Sequence, residues 1–406
     1  MLYTQSEAVD FIFENDVKFI RLAFCDVFGV QKNVSIMPCE LEAVFRDGFP
    51  FDASAVRGFG DEAKSDLILF PDPATLSLLP WRPSHGRVVR FFCDIKYPDG
   101  TPFELDGRHI LRQAVARARQ AGLTFAVSTE SEFYLLRTDD EGHPLNIPFD
   151  TAGYLDIAPA DKGENVRREI CLTLEEMGLC PESSHHGAGP GQNGIDFHAA
   201  DPLTCADNTT TFRSVVSTIA ARNGLYASFA PKPFADQSGN GMHINLLNAA
   251  GDRLPDSFVA GVLAHVSEIT AFLNPTEQSY ARLGRHKAPG HVAWSRQNRS
   301  QLIRIPHDAA GHERMELRSP DTTANPYLAI ALVIDAGLDG VAQGLPLCEP
   351  LNVHSTDATA EQLTTLRRLP QSYEEAFLLA SESAFVHRLL PERLLHVYRH
   401  PVPQVV

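Results

Sequence analysis

Beyond about residue 100, strand and helix patterns alternate along the chain, and this alternation limits the fold more than any other feature. Strands are predicted at 124–136, 192–198, 225–230, 241–247, 301–305 and 313–318. Helices are predicted in the segment RHILRQAVARARQAG, at 164–178, 210–223 and 258–273, and from Asn325 through Gly340. Interleaved helices and strands favour one large α/β domain over a string of small domains.

The first hundred residues are organised differently. Their predicted elements are a helix at 4–15, a hairpin around Asp26-Val27-Phe28-Gly29, a Pro-rich and largely irregular stretch at 51–83, and a strand at 88–97. Thr4 is the expected cap of the helix. Turn residues at 97–102 mark a boundary. We therefore predict an α+β protein with domains at 1–100 and 101–406.

Charge and composition exclude several classes of protein. Lys and Arg number 35 against 51 Asp and Glu, and the formal charge of -16 disfavours a dedicated nucleic-acid binder. No run approaches the roughly 20 apolar residues that cross a bilayer, and the start MLYTQSEAVDF lacks the features of a signal peptide. We expect a cytoplasmic protein that binds neither nucleic acid nor membrane. The scattered cysteines favour buried or idle thiols over a zinc site or disulfides.

Two short segments carry residues that suit metal chemistry. In STESEFYLL, Glu130 and Glu132 are two residues apart on an apolar strand, so their side chains point the same way. Divalent cations such as Mg²⁺ and Mn²⁺ would neutralise such a pair. In SGNGMHINLL, a glycine-rich turn leads into a strand with His243 and Asn245 on one face. Taken alone, each segment favours a structural role: a solvent-exposed pair of carboxylates in the first, and a structural histidine in the second.

Basic residues gather in a third region, unlike the rest of this acidic chain. They are Arg282, Arg285, Arg299, Arg304, Arg314 and Arg318. Strand alternation places Arg314, Glu316 and Arg318 on one face. Such a cluster suits phosphate or carboxylate recognition, and it suits a structural ladder of ion pairs equally well.

Taken together, these segments resemble the glutamine synthetase family. The resemblance runs from about residue 17 to 345 and is carried by the order and spacing of several segments, none of which is specific by itself. They are FDASAVRGFG, PDPATLSLLPW, the Glu-x-Glu strand, SHHGAGPGQNGIDF, SGNGMHINL, NRSQLIRIP and RMELRSPDTTANPYLAIALVIDAGLDG. The resemblance implies an N-terminal β-grasp domain and a C-terminal catalytic α/β domain.

The resemblance also implies an activity. The family uses ATP to phosphorylate the γ-carboxylate of glutamate, and ammonia then displaces phosphate from the acyl phosphate. Its active sites lie between neighbouring subunits of stacked rings, so a homo-oligomer, expected to be a dodecamer, is implied. The nucleotide-side Mg²⁺ or Mn²⁺ would be held by Glu130, His243 and Glu316, and Glu132 would belong to a second metal site on the substrate side.

Further roles follow from matching positions of the family. Arg299, Arg304 and Arg314 would face the transferred phosphate and the nucleotide phosphates, and Asn245 would lie on the nucleotide side. Arg282 and Arg318 would hold the carboxylate of glutamate and set the charge of its site. Further substrate-binding residues would be Ser238, Gly239 and Tyr154. Asp52 would be contributed by a neighbouring subunit to bind and deprotonate ammonium.

The sequence departs from the family pattern at the substrate-side metal. Where the family has glutamates in His-His-Glu and Pro-Gly-Gln-x-Glu, this chain has Gly187 and Gly194. Glu132 is then the sole carboxylate of a site that should hold three, and a hard cation should bind there much more weakly.

The expected ammonium pocket has also lost acidic residues. Lys287 replaces a glutamate, Gly187 replaces another, and Ala55 replaces a serine, while Asp52 and Tyr154 remain. Three interpretations stay open: a γ-glutamyl ligase for a different or larger amine, a catalytically impaired nucleotide-binding oligomer that acts through partners, or glycines introduced deliberately. Reduced or altered ammonia-dependent activity is expected in each case.

Overall fold

The structure is a computed structural model, and it describes residues 3–60, 63, 65–82, 85–251, 253–306, 313–353 and 366–402. The chain forms two compact units. One comprises Met1–Ile110 with Cys171–Cys180, and the other comprises Leu111–Ile170 with Pro181–Val406.

The first unit is built on a mixed sheet. Its elements are α1 (Gln5–Glu14), β1 (Val17–Cys25), β2 (Gln31–Ile36), α2 (Leu41–Asp47), β3 (Phe49–Asp52), β4 (Asp66–Pro71), β5 (Ser77–Leu78) and β6 (Arg87–Lys96). The strand order is β2-β1-β6-β4-β3, and β5 also pairs with β6. β1 and β2 form an antiparallel hairpin, whereas β1 and β6 run parallel.

Local sequence signals explain the start of this unit. Thr4 caps α1, and Thr4 and Glu7 form a reciprocal capping box, which confirms the predicted helix. The predicted hairpin is confirmed by the antiparallel pairing of β1 with β2. Its turn is stabilised by the Asp26 carboxylate, which accepts hydrogen bonds from the backbone N–H groups of Phe28 (3.0 Å) and Val30 (2.9 Å). The predicted irregular stretch is wrong at β4, where an alternation of buried and exposed residues forms a strand.

The second unit contains a larger sheet. Its strands are β7 (Phe125–Thr138), β8 (Pro144–Pro148), β9 (Pro181–His186), β10 (Gln192–Phe197), β11 (Leu225–Ser228), β12 (Met242–Asn248), β13 (Trp294–Ser295), β14 (Ile303–Arg304) and β15 (Met315–Leu317). The strand order is β13-β14-β15-β12-β7-β10-β9, and β8 and β11 also pair with β7. The long central strand β7 is therefore the scaffold on which the other strands are arranged.

Helices follow the strand pattern along the rest of the chain. They are α3 (Gly107–Gln120), α4 (Glu164–Glu176), α5 (Pro202–Arg222), α6 (Asp256–Leu273), α7 (Glu277–Arg282), α8 (Pro326–Gln343), α9 (Tyr373–Glu382), α10 (Ala384–Leu389) and α11 (Glu392–Val397). The predicted start of one helix at residue 210 is wrong. α5 begins at Pro202 because the Asp201 side chain accepts hydrogen bonds from the N–H groups of Leu203 and Thr204. β9 was not predicted.

Two apolar helices, α6 and α8, pack against each other in the second unit. Both have the length and hydropathy of a membrane span, but 72% of each is buried inside the protein, as expected of core helices. Their close approach depends on glycine. A Cβ atom at Gly261 would overlap the carbonyl oxygen of Ala336, and one at Gly340 would overlap the carbonyl oxygen of Ser257.

This contact leads to a stability prediction. Gly261→Ala should lower the free energy of unfolding by about 1–3 kcal/mol, because the added methyl group forces two packed backbones apart. Thermal unfolding of the purified protein would measure the loss. The matched control is Gly153→Ala, whose Cβ would meet the Asp156 carboxylate at an ordinary 3.5 Å. Equal melting temperatures for Gly261→Ala and the parent would contradict the prediction.

Candidate active site

The register of β7, β12 and β15 brings the predicted metal ligands together. Glu130 on β7 lies directly opposite His243 on β12, and Asn245 on β12 lies opposite Glu316 on β15. Side chains opposite each other in an antiparallel pair share one face, and residues two apart on a strand share that face as well. Four polar side chains from three strands therefore converge on a single patch.

The patch has the geometry of a cation site. The Nδ1 atom of His243 lies 3.3 Å from Glu130 Oε2 and 3.4 Å from Glu316 Oε1. One potential ligand atom from each of Glu130, His243 and Glu316 lies within 4.8 Å of the other two. Two carboxylates and one imidazole are a donor set that suits Mg²⁺ or Mn²⁺. Asn245 donates to Glu130 Oε1 at 3.0 Å and so orients that carboxylate.

Arginines surround the two carboxylates. Arg304 lies 2.9 Å from Glu316 Oε2, Arg318 pairs with the other oxygen of Glu316, and Arg314 lies 3.6 Å from Glu130. Glu316 is fully buried. The ion-pair ladder is therefore present in this structure. It leaves the Nε atoms of all three arginines buried without a hydrogen-bond partner in the described chain, so the arginines retain unused donors.

The charges around the patch keep both carboxylates ionised. Burial alone would raise the pKa of Glu130, but hydrogen bonding to His243 and the nearby positive charges lower it to about 2. Burial also opposes ionisation of Glu316, and the charges of Arg318, His243 and Arg304 outweigh it, so its pKa is lowered. Charged carboxylates near neutral pH are the form that binds a metal cation.

A cleft opens beside this patch. It is lined by Glu132, Tyr154, His185, Gly187, Ala188, Ser238, Gly239, His243, Arg282, Arg285, His286, Lys287, Ala288 and Arg318. Among these lining residues, Glu132 alone carries a carboxylate, and that carboxylate accepts a hydrogen bond from the Gly241 N–H at 2.8 Å. The cleft is thus strongly cationic in a chain whose formal charge is -16.

All the residues predicted for substrate binding line this cleft: Tyr154, Ser238, Gly239, Arg282 and Arg318. Arg282 is buried, and its guanidinium donates to the backbone carbonyl oxygens of Ser319 (2.8 Å) and Arg318 (3.2 Å). Arg299 differs, because it is an exposed turn residue that does not line the cleft. Asp52 belongs to the first unit, where its exposed carboxylate accepts hydrogen bonds from the Ser54 side chain (2.6 Å) and N–H (2.9 Å).

His185 and His286 are cleft residues to which the sequence analysis assigned no role. His185 lies on the unpredicted strand β9, directly opposite Gly194 of β10, which in turn lies opposite Glu132 of β7. The motif His185-His186 was visible, but its position over Gly194 depends on long-range pairing. His286 lies in the turn before Lys287 and adopts a positive φ of 53°.

The two unexpected glycines have different surroundings. A Cβ atom at Gly194 would lie 2.9 Å from the His185 ring, so the imidazole occupies the space of a side chain at 194. At Gly187 a Cβ atom would lie 2.7 Å from Gln192, which is fully buried and donates to the Gly239 carbonyl oxygen. A glutamate at position 194 would require only the His185 ring to move. A glutamate at position 187 would disturb the buried hydrogen bond from Gln192 to Gly239.

A second acidic cluster lies beneath the glycine loop. Asp150, Asp161 and His186 are buried and close enough to hold a cation. They are already bonded to other groups, because Asp150 accepts from His186 (3.0 Å) and from the Gly191 N–H (2.8 Å), while Arg167 pairs with Asp161 (2.5 Å). Burial opposes the charge of Asp150, but these hydrogen bonds lower its pKa to about 2. The cluster therefore clamps the loop.

Comparisons with known proteins identify the family. The glutamine synthetase catalytic-domain model matches residues 104–401, and the glutamine synthetase β-grasp model matches residues 16–98. The chain belongs to the glutamine synthetase family. The glutamine synthetase of Clostridium saccharobutylicum is 41% identical over 413 residues, covering 98% of this chain and 93% of that protein. The glutamine synthetase of Methanosarcina mazei is 41% identical over 415 residues, with coverages of 98% and 92%.

Solved structures agree with this assignment. A structure titled as a GmaS/ADP complex superimposes with a TM-score of 0.86 at 27% identity, covering 97% of this chain and 94% of that chain. The Plasmodium falciparum glutamine synthetase shares the fold, with a TM-score of 0.84 at 21% identity and coverages of 98% and 94%. The predicted family and fold class are confirmed, and so is the prediction of an ATP-dependent ligase of the glutamate–ammonia class. The family uses ATP and a divalent metal.

The metal patch leads to a binding prediction. Glu316→Gln should weaken Mn²⁺ binding at least about tenfold, because it removes one charged ligand and leaves the charges of Arg304 and Arg318 unopposed. Calorimetric titration with Mn²⁺ would measure the affinity. Glu141→Gln, at an exposed position, makes the same chemical change and should have no effect. Unaltered Mn²⁺ binding by folded Glu316→Gln would show that this patch is purely structural.

Proposed function

We propose that this ligase phosphorylates the γ-carboxylate of glutamate with ATP and transfers the γ-glutamyl group to an amine. The observation that supports it most is the convergence of Glu130, His243 and Glu316 with their arginines beside a cationic cleft. Phosphoryl transfer depends mainly on positioning and on neutralising phosphate charge, and such an arrangement supplies both.

Glu130, His243 and Glu316 would hold Mg²⁺ or Mn²⁺ on the nucleotide side, and their donor set fits either ion. When bound, the metal would neutralise phosphate charge during transfer. Arg304, Arg314 and Arg299 would then bind phosphate oxygens, with Arg304 and Arg314 directed by their contacts to the two carboxylates. Asn245 would act on this side through its hydrogen bond to Glu130.

Glutamate would bind in the cleft. Arg282 and Arg318 would supply positive charge for its carboxylates, and Ser238, Gly239 and Tyr154 would form further walls. A three-carboxylate metal site on the substrate side does not fit this chain, because Glu132 faces Gly194 across the sheet instead of another acid. We propose no metal-dependent step on the substrate side. Glu132 is instead available to balance the cations of the cleft.

We further propose a cytoplasmic homo-oligomer of stacked rings with twelve subunits. Asp52 would reach a neighbouring copy's cleft and take a proton from the amine. Its exposure supports this role, and hydrogen bonds from the Ser54 side chain and backbone lower its pKa, so that it is charged near neutrality. In each subunit the β-grasp domain would comprise residues 1–100 and the catalytic domain residues 101–406.

The proposed chemistry predicts that hydroxylamine, a small neutral nucleophile, will trap the acyl phosphate. Incubation of the protein with glutamate, ATP, Mn²⁺ and hydroxylamine should yield γ-glutamyl hydroxamate, which is measured by its coloured iron complex. His243→Ala should reduce the rate at least about tenfold by removing a metal ligand, whereas His143→Ala at an exposed turn should not. Absence of hydroxamate from a protein that binds ATP would favour the catalytically impaired alternative.

The proposed shared site predicts complementation between two inactive variants. Asp52→Ala and Arg318→Ala should each be nearly inactive alone. Co-expressed in equal amounts, they should recover up to about a quarter of parental hydroxamate activity, because some sites then combine an intact Asp52 with an intact Arg318 from different subunits. Sedimentation should show an assembly far larger than the 44.7 kDa monomer. An inactive mixture of well-assembled variants would refute sharing of the site.

A further inference from the structure

We infer that the acceptor amine of this enzyme carries a carboxylate, so that the product is the γ-glutamyl amide of an aminocarboxylic acid. The inference rests on the proposed function and extends it to the class of acceptor. It is carried by the part of the cleft that the proposed binding of glutamate leaves free. That part, here called the acceptor wall, consists of His185, Arg285, His286 and Lys287, together with Tyr154, which it shares with the proposed glutamate site.

The acceptor wall carries positive charge that the described protein does not neutralise. Arg285 and Lys287 are exposed at the cleft, and no carboxylate in the described ranges forms an ion pair with either of them. Lys232 does not line the cleft; it lies near Arg285 and Asp236 and donates to the backbone carbonyl oxygen of Gln237. Burial lowers the pKa of Lys232, and the charge of Arg285 lowers it further.

The same wall has an aromatic side and open space. The rings of Tyr154 and His185 meet edge to face with centroids 6.0 Å apart, and the Lys287 ammonium lies 5.3 Å from the Tyr154 ring centroid. Beside them, Gly187 and Ala188 line the cleft with little side-chain volume. An acceptor larger than ammonia can therefore lie against the rings with a charged group reaching Arg285 or Lys287.

Electrostatics decide which acceptor fits. Ammonium and polyamines are cations, so Arg285 and Lys287 would repel them in a cleft whose lining carries one carboxylate. Even one further carboxylate, from Asp52 of a neighbouring copy, would leave the cations in excess. An aminocarboxylic acid is a zwitterion, and it becomes an anion when its amine is unprotonated. Arginine binds carboxylates through paired, charge-assisted hydrogen bonds.

The transfer step balances with this acceptor. The unprotonated amine nitrogen attacks the γ-carbonyl carbon of γ-glutamyl phosphate and forms the C–N bond. The bond between that carbon and the bridging oxygen breaks, and phosphate leaves with the electron pair. The proton lost from nitrogen passes to a base, for which Asp52 of the neighbouring copy is proposed. The acceptor's carboxylate is unchanged and remains bound to the acceptor wall.

Matched acceptors test the inference on the intact assembly. Phosphate release and the amide product are measured with glutamate, ATP and Mn²⁺, using glycine, β-alanine and 4-aminobenzoate as acceptors, each beside the analogue whose carboxylate is replaced by a carboxamide. The reaction with glutamate alone gives the background. Ammonium and putrescine are included, and hydroxylamine reports acyl phosphate formation independently. We expect at least one acid to exceed its amide, ammonium and putrescine at least about tenfold in kcat/KM. The inference would be overturned if the protein forms hydroxamate with hydroxylamine but kcat/KM for every acid is equal to or lower than that for its carboxamide. The proposed function would then still stand.

Variants of Lys287 test the cause of that preference. Lys287→Met should lower kcat/KM for the preferred acid about tenfold, and Lys287→Glu should lower it further while improving ammonium use. Lys162→Glu makes the same charge change at an exposed lysine outside the cleft and should leave both values unchanged. If Lys287→Glu instead raises KM for ATP with the acid preference intact, the cation serves nucleotide binding and the inference is wrong. If the parent protein forms no hydroxamate, the proposed function is wrong.

Discussion

Antiparallel pairing of β7 with β12 is the interaction on which the rest of the site depends. It places Glu130 opposite His243, and the next strand, β15, brings Glu316 to the same face. Three predicted metal ligands from distant parts of the chain are thereby held on paired strands. A slip of one residue in either pairing would turn ligands to the opposite face and destroy the patch.

Burying this much charge requires compensation. Glu316 is fully buried and remains ionised only because Arg304, Arg318 and His243 surround it. Removing one partner leaves the other charges uncompensated, which costs far more than the intact pair contributes to stability. The two interpretations of the arginine cluster are therefore compatible. The same guanidinium groups form ion pairs in this structure and keep Nε donors that have no hydrogen-bond partner in the described ranges.

The cleft next to this patch has the opposite charge from the protein as a whole. This chain has Gly187, Gly194 and Lys287 at three positions where its resemblance to the family predicts acids. The glycine loop nevertheless keeps a defined shape, because Asp150 and His186 beneath it hold Gly191 and Gly187 through hydrogen bonds. The cleft thus has few acids, and its glycine loop is still held in place. This combination is what supports a different acceptor rather than a collapsed site.

The sequence by itself determined the local features of the protein. Thr4 and Glu7 specify a helix start, Asp26 through Gly29 specify a hairpin, and alternation places Glu130 and Glu132 on one strand face. Such signals depend on neighbouring residues, so they can be read directly, and the order of the motifs was enough to indicate the family. Segments with weaker local patterns, such as β4 and β9, were missed because pairing with other strands stabilises them.

Only the tertiary structure decided which distant residues meet. Nothing local indicates that the His185 ring lies over Gly194, or that Asp150 supports the glycine loop from 36 residues before His186. Strand register depends on hydrogen bonding and burial across the whole sheet, and loop contacts depend on how that sheet is completed. The acceptor wall is a product of those long-range contacts. Its cations could be counted in the sequence, but their convergence on one cleft required the fold.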